Sequence, residues 1–169
     1  CAIVDRGDTQ LVFIDTPGFH RPRTKLGDYM VNIVNQSVVD VDAVILLVEP
    51  IANVGPQEQE LIEKIREAKV PAILVINKID TVKDEEIIAK AIDTYKNVCP
   101  FAEIVPVSAR SGENSDELVR VIMQYLPYGP QFYDEDTITD QPERAIVAEI
   151  IREKALHALD DEIPHGIAV

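Results

Sequence analysis

Apolar residues recur along this chain with two different periods, and the switch from one to the other marks out its elements. Residues 1–4 and 10–14 are short β-branched runs divided by Asp5-Arg6-Gly7-Asp8, which predicts an antiparallel hairpin. Three later runs, 43–48, 72–76 and 104–107, are almost continuously apolar, as parallel strands covered on both faces are. Between them the period becomes helical. From 57 to 69, Leu61, Ile62, Ile65 and Ala68 form one stripe, Pro56 marks the start, and Glu60 stands four residues before Lys64. Residues 85–97 repeat the pattern with Ile88, Ala91, Ile92 and Tyr95. Asn114, with Glu117 three positions on, predicts a capped helix burying Leu118, Val121, Ile122 and Tyr125. Alternating strands and helices imply a doubly wound α/β sheet, whose ligands gather at the C-terminal ends of the strands.

The alternation stops at Pro127-Tyr128-Gly129-Pro130, and the acidic, aromatic stretch that follows has neither period. Beyond it Asp140 and Glu143 form a second predicted capping pair, ahead of an apolar stripe of Val147, Ile150, Ile151, Ala155 and Leu159. The expected organisation is an α/β domain over 1–127, a linker over 128–140 and the beginning of a second domain over 141–169. No internal repeat is visible.

Composition limits the chemistry. With 46% hydrophobic residues, 169 positions support one ordinary core and a short appendage. Acidic residues outnumber basic ones 30 to 16, and the resulting charge of −14 repels nucleic-acid phosphates, so these residues alone make a poor RNA surface. Cys1 and Cys99 stand at no metal-ligand spacing, so neither a disulfide framework nor a zinc site is expected and a reducing compartment fits. No apolar run approaches the roughly 18 residues of a membrane span, and no leader opens the sequence; a soluble cytoplasmic protein is expected.

Three short motifs sit on successive predicted strand ends. Asn77-Lys78-Ile79-Asp80 directly follows the run 72–76. A carboxylate at Asp80 can accept from both the ring N–H and the exocyclic amine of guanine, a donor pair adenine lacks, while the Asn77 amide reaches the purine N7 edge and the Lys78 stem covers the base plane. Asp15-Thr16-Pro17-Gly18 closes an earlier strand. There Asp15 can hold Mg2+ through water, and Gly18 lets a backbone N–H approach a terminal phosphate without a side-chain clash. Ser108-Ala109-Arg110 follows the run 104–107, where a loop N–H can donate to the guanine carbonyl oxygen. Each is also an ordinary turn when taken alone. Their order on one α/β pattern, about sixty and then about thirty residues apart, is what makes them a set.

This set resembles the Ras-like GTPase superfamily, and the form Asp15-Thr16-Pro17-Gly18-Phe19-His20 is similar to that of the Era-like family in its translation-factor-related branch. There a hydrophobic residue replaces the usual water-orienting Gln; Phe19 cannot orient water by hydrogen bonding, and the resemblance assigns no catalytic residue. Residues 133–140 with Glu143-Arg144 and 148–154 resemble that family's linker and the first helix of its KH domain, and 163–169 the lead into that domain's first strand. The resemblance implies a doubly wound Ras-like, P-loop NTPase sheet followed by the start of a KH domain. It further implies a GTP-binding and GTP-hydrolysing switch using GTP/GDP and Mg2+, with the nucleotide touched by Asp15, Thr16, Pro17, Gly18, Phe19, Asn77, Lys78, Ile79, Asp80, Ser108, Ala109 and Arg110. The implied partners are 16S rRNA and the 30S subunit in its assembly. A monomeric, cytoplasmic protein is implied, with room for peripheral association at the inner face of the cell membrane.

The sequence departs from that family at both ends. The phosphate-binding G-x-x-x-x-G-K-[ST], a switch Thr ahead of Asp15 and the G-x-x-G loop of KH domains do not occur in it. In the family's fold the first strand runs between those expected at 11–14 and 43–48, so its loss would leave a gap of about 10 Å with unpaired backbone groups. A fragment truncated at both ends, a molecule known only in part, or a domain with a rearranged sheet is therefore expected, binding GTP weakly or not at all. Two rivals stay open: a GTPase of the same branch acting in tRNA modification or 50S assembly, and a non-catalytic α/β interaction module in which the motifs are vestigial.

Overall fold

Strands form where the β-branched runs lie, and in the computed structural model, which describes residues 1–14, 41–134 and 136–158, they build two separate sheets. The described residues divide into two units, the hairpin region with residues 131–158 and residues 41–130.

In the larger unit, β3 (Val44–Val48), β4 (Ala72–Ile76) and β5 (Glu103–Pro106) make a parallel sheet in that order, with Val48 opposite Ile76 and Ile76 opposite Pro106. Helices α1 (Pro56–Ala68), α2 (Glu85–Lys96) and α3 (Ser115–Met123) alternate with the strands. Ile62 and Ile65 of α1 and Ala91 and Tyr95 of α2 pack with Leu46, Val48, Leu74 and Ile76 in one core. Ile73 and Val75, which the two-residue strand period turns to the other face, are equally enclosed. Each such aliphatic side chain contributes about 1.5–3 kcal/mol by its burial. Only β4 matches the expectation of a strand covered on both faces. In β3, Leu47 remains 60% exposed, because β3 is the end strand of this sheet and carries cover on only one face among the described residues.

The expected cap of α3 is also different. Asn114 occupies the N-cap position, but with a left-handed φ of 59° and no capping bond; its Nδ2 donates 2.9 Å to the Pro106 carbonyl instead. Glu117 pairs with Arg120, one turn on, and so closes no capping box.

In the smaller unit, β1 (Ala2–Arg6) and β2 (Thr9–Phe13) form the predicted antiparallel hairpin, turning at Gly7 with φ +59°, a conformation that glycine adopts at no steric cost. Ile3 and Leu11 are its buried residues. The stretch expected to be a linker docks on the other edge of β1: the Ile3 amide donates 2.9 Å to the Ile138 carbonyl, and Ala2 bridges Thr139. The Gln10 side chain accepts from the Phe132 and Tyr133 amides and donates to the Tyr133 carbonyl, each at 3.0–3.1 Å. Helix α4 (Glu143–Ala158) follows. Asp140 lies three residues ahead of its first residue and not at its N-cap position, so the predicted pair with Glu143 does not cap this helix. Val147, Ile150 and Ile151 stay about half exposed on α4.

Candidate functional site

Beyond the ends of β4 and β5 the parallel ladder runs on for one more residue, and that extension brings two of the three motifs together. The Asn77 amide donates 2.8 Å to the Val48 carbonyl, and the Val107 amide 2.8 Å to the Ile76 carbonyl. Lys78 then takes a left-handed φ of 65°, a strained conformation for a residue with a Cβ. Three bonds fix it: its N–H donates to Asn77 Oδ1 at 2.8 Å, and its carbonyl accepts from the Thr81 amide and hydroxyl at 3.0 and 2.7 Å. Ile79 is buried and its amide reaches the Val107 carbonyl, pinning the short 3-10 turn Ile79–Thr81 to the end of β5.

The β5 side supplies the complementary half. Ser108 is fully buried; its hydroxyl donates 2.7 Å to Asp80 Oδ1 and accepts 3.1 Å from the Ser111 amide. Its backbone pairs with Glu113 and Gly112, the latter at φ +82°, so the loop folds back on itself. The Ala109 amide donates 3.0 Å to Asn77 Oδ1. With two backbone N–H groups on Oδ1, the orientation of the Asn77 amide is determined and Nδ2 is its outward donor.

Asn77, Asp80, Ser108 and Ala109 thus form one hydrogen-bonded constellation. The Ala109 amide is taken by Asn77, while the Arg110 N–H makes no bond among the described residues. The Lys78 ammonium pairs with the Glu49 carboxylate just past β3, a partner the sequence did not indicate. The remaining lone pairs of Asp80, the Asn77 Nδ2–H and the Arg110 N–H suit a planar ligand edge that offers adjacent N–H donors next to acceptors. Asp15, Thr16, Pro17, Gly18 and Phe19 lie outside the described residues, and with them the expected Mg2+ position. Among the described residues no group of three or more His, Cys, Asp or Glu side chains is placed to hold a metal ion.

On the β3 side of Lys78 a cavity of about 640 Å3 opens, lined by Glu49, Ile51, Asn53, Glu58, Lys78 and Tyr95 among others. Tyr95 donates 3.2 Å to Glu58, which also accepts from the Gly55 amide at 2.8 Å. Burial, then the charge and hydrogen bond of Glu58, push the Tyr95 phenol well above its ordinary range. Sequence reasoning missed the Ser108 hydroxyl, Glu49 and Thr81. The signal for the first two is positional: each is a polar residue at once after an apolar strand run, where an α/β sheet places its ligand loops.

Comparison with known proteins places this geometry. A family profile described as the elongation factor Tu GTP binding domain matches residues 2–128. GTPase Era of Clostridium botulinum is 48% identical over 99% of this chain and 56% of its own length. A crystal structure of Era in complex with MgGDPNP and nucleotides 1506–1542 of 16S ribosomal RNA superimposes with a TM-score of 0.78 at 37% identity, over 96% of this chain and 56% of that one. Aquifex aeolicus Era bound to GDP.AlF4- gives 0.75 at 38%, over 94% and 54%. The chain spans just over half the length of the relatives it matches. No helix among the described residues is long and apolar enough to cross a membrane. With a matched fold, a doubly wound sheet and a profile running from residue 2 to residue 128, the chain belongs to the elongation factor Tu GTP binding domain family, and its likeness to Era-like GTPases extends over nearly all of it.

Proposed function

We propose that this chain carries the guanine-reading half of a GTP-binding, GTP-hydrolysing switch of the Era type. The observation that supports it most is the joining of Asn77 and Asp80 through Ser108 and Ala109 at the end of a fully buried strand. In this reading Asp80 accepts the ring N–H and exocyclic amine of guanine, Asn77 Nδ2 donates to N7, and the Arg110 N–H meets the 6-oxo group. Ile79 anchors the loop, and Lys78 flanks the base. Asp15, Thr16, Pro17, Gly18 and Phe19 serve the phosphates, with Asp15 holding Mg2+ through water. The protein's place is in assembly of the 30S subunit through 16S rRNA, in the cytoplasm, as a monomer with peripheral contact at the membrane. A G domain over 1–127, a linker over 128–140 and the start of a KH domain over 141–169 complete the proposal. The Era assignment is favoured over a tRNA-modification or 50S-assembly relative by the names and coverage of the matched proteins.

The test is Asp80→Asn in the full-length protein. An amide presents one acceptor and one donor, which suits the N1–H and 2-oxo group of xanthine and leaves the guanine amine facing another donor. Guanine affinity should fall by about 1.5–3 kcal/mol, on the order of 10- to 100-fold, while xanthine nucleotide affinity rises. Calorimetric titration with GDP and XDP reads both; an unchanged preference would remove the nucleotide reading.

A further inference from the structure

We propose that Glu49 is a positioning residue for nucleotide binding, acting through Lys78; this rests on the reading of Asn77–Asp80 as the base-reading loop. Glu49 follows β3 directly, as Asn77 follows β4, and these strand ends are register neighbours tied by the bond from the Asn77 amide to the Val48 carbonyl. From that position the Glu49 carboxylate captures the Lys78 ammonium across the strand ends. Both side chains line the cavity beside the loop.

The pair is more than half exposed on both sides, so it contributes little to the stability of the fold. Its effect lies in the conformation of Lys78. The backbone of that residue is already fixed in the left-handed region by Asn77 and Thr81. What remains free is a four-carbon stem with many rotamers, and pairing its far end with Glu49 reduces that freedom before any ligand arrives. It also neutralises the ammonium locally, leaving the apolar stem to meet the flat face of the base. A preordered stem makes the bound state less costly to reach and slower to leave.

The measurement is GDP dissociation from full-length protein, followed with a fluorescent GDP analogue, across Glu49→Gln, Lys78→Met and the double variant, with Asp80→Asn alongside. Glu49→Gln is expected to speed dissociation about five- to tenfold with the thermal midpoint of the nucleotide-free protein unchanged, and to have no further effect once Lys78 is Met. An unchanged off-rate in Glu49→Gln, an equal acceleration in the Lys78→Met background, or a matching fall in thermal midpoint each overturns the positioning role while leaving the base-reading loop intact. If wild type does not bind GDP, or Asp80→Asn leaves base preference unaltered, the loop reading itself fails and this role falls with it.

Discussion

Ser108 shows how much one buried hydroxyl organises. It is fully enclosed, and its single oxygen both orients Asp80 and closes the loop through the Ser111 amide. Ser108→Ala leaves the Ser111 N–H without its partner, which costs about 1–2 kcal/mol of stability. The backbone bonds from Ser108 to Glu113 and Gly112 do not involve the hydroxyl, so the loop keeps its course. The consequence for binding differs in kind from that of Asp80→Asn: with the carboxylate present but no longer held, GDP affinity should drop roughly tenfold while guanine remains preferred over xanthine. Titration of both nucleotides checks this, and a GDP affinity equal to wild type would show that Asp80 needs no orienting partner. The motif spacing was enough to predict that Asn77, Asp80 and the Ser108 loop meet. It did not disclose that Asn77 consumes the Ala109 amide, or that Lys78 turns to Glu49, since both depend on which of several polar groups come within bonding distance once the strands are in register.

At the level of elements, apolar periodicity located every described strand and α1 to α3 to within a few residues, because each of them buries at least one apolar face. Capping was less legible: Asn114 looked like an N-cap and became a left-handed corner bonded to Pro106, a long-range contact that competed successfully with the local one. The docking of residues 131–139 on β1 was hidden for a related reason, since an edge strand accepts a partner through backbone groups that carry no side-chain signature. Between helices, the Tyr95 bond to Glu58 links α2 to the first turn of α1. The Tyr95 phenol is almost fully buried, and its pKa is raised from the ordinary 10.0. A raised folded value means that its contribution is fully present below pH 10 and is lost as pH climbs from there toward the folded value. Tyr95→Phe should therefore be less stable than wild type by about 1 kcal/mol at pH 8, with the difference shrinking toward pH 11. Urea unfolding at the two pH values measures it, and a gap that does not change with pH would show that the phenol does not ionise harder in the folded state.

The charge of the whole chain decides how it meets a polyanion. At −14, with a sequence pI near 4.5, long-range forces oppose approach to RNA phosphates before any local contact forms. Helix α4 does not reverse this, because Glu143, Glu149 and Glu153 alternate with Arg144, Arg152 and Lys154 in place of a basic stripe. A protein that binds by neutralising phosphates releases counterions, so its affinity falls steeply as salt rises. For these 169 residues the opposite is expected: affinity for an oligonucleotide matching nucleotides 1506–1542 of 16S rRNA weaker than about 10⁻⁴ M at roughly 0.15 M salt, and a salt slope that is flat or positive, since added ions screen repulsion. Fluorescence anisotropy at several salt concentrations measures both quantities. Micromolar binding with a negative slope would mean that a local basic surface overrides the net field. The proposed base-reading loop faces a different problem: in that proposal, selection at Asp80 and Asn77 depends on the pattern of donors and acceptors along a neutral purine edge, and that pattern is indifferent to the sign of the surrounding charge. Nucleotide affinity and RNA affinity should accordingly separate: the first moving with Asp80 and Ser108, the second with the overall charge.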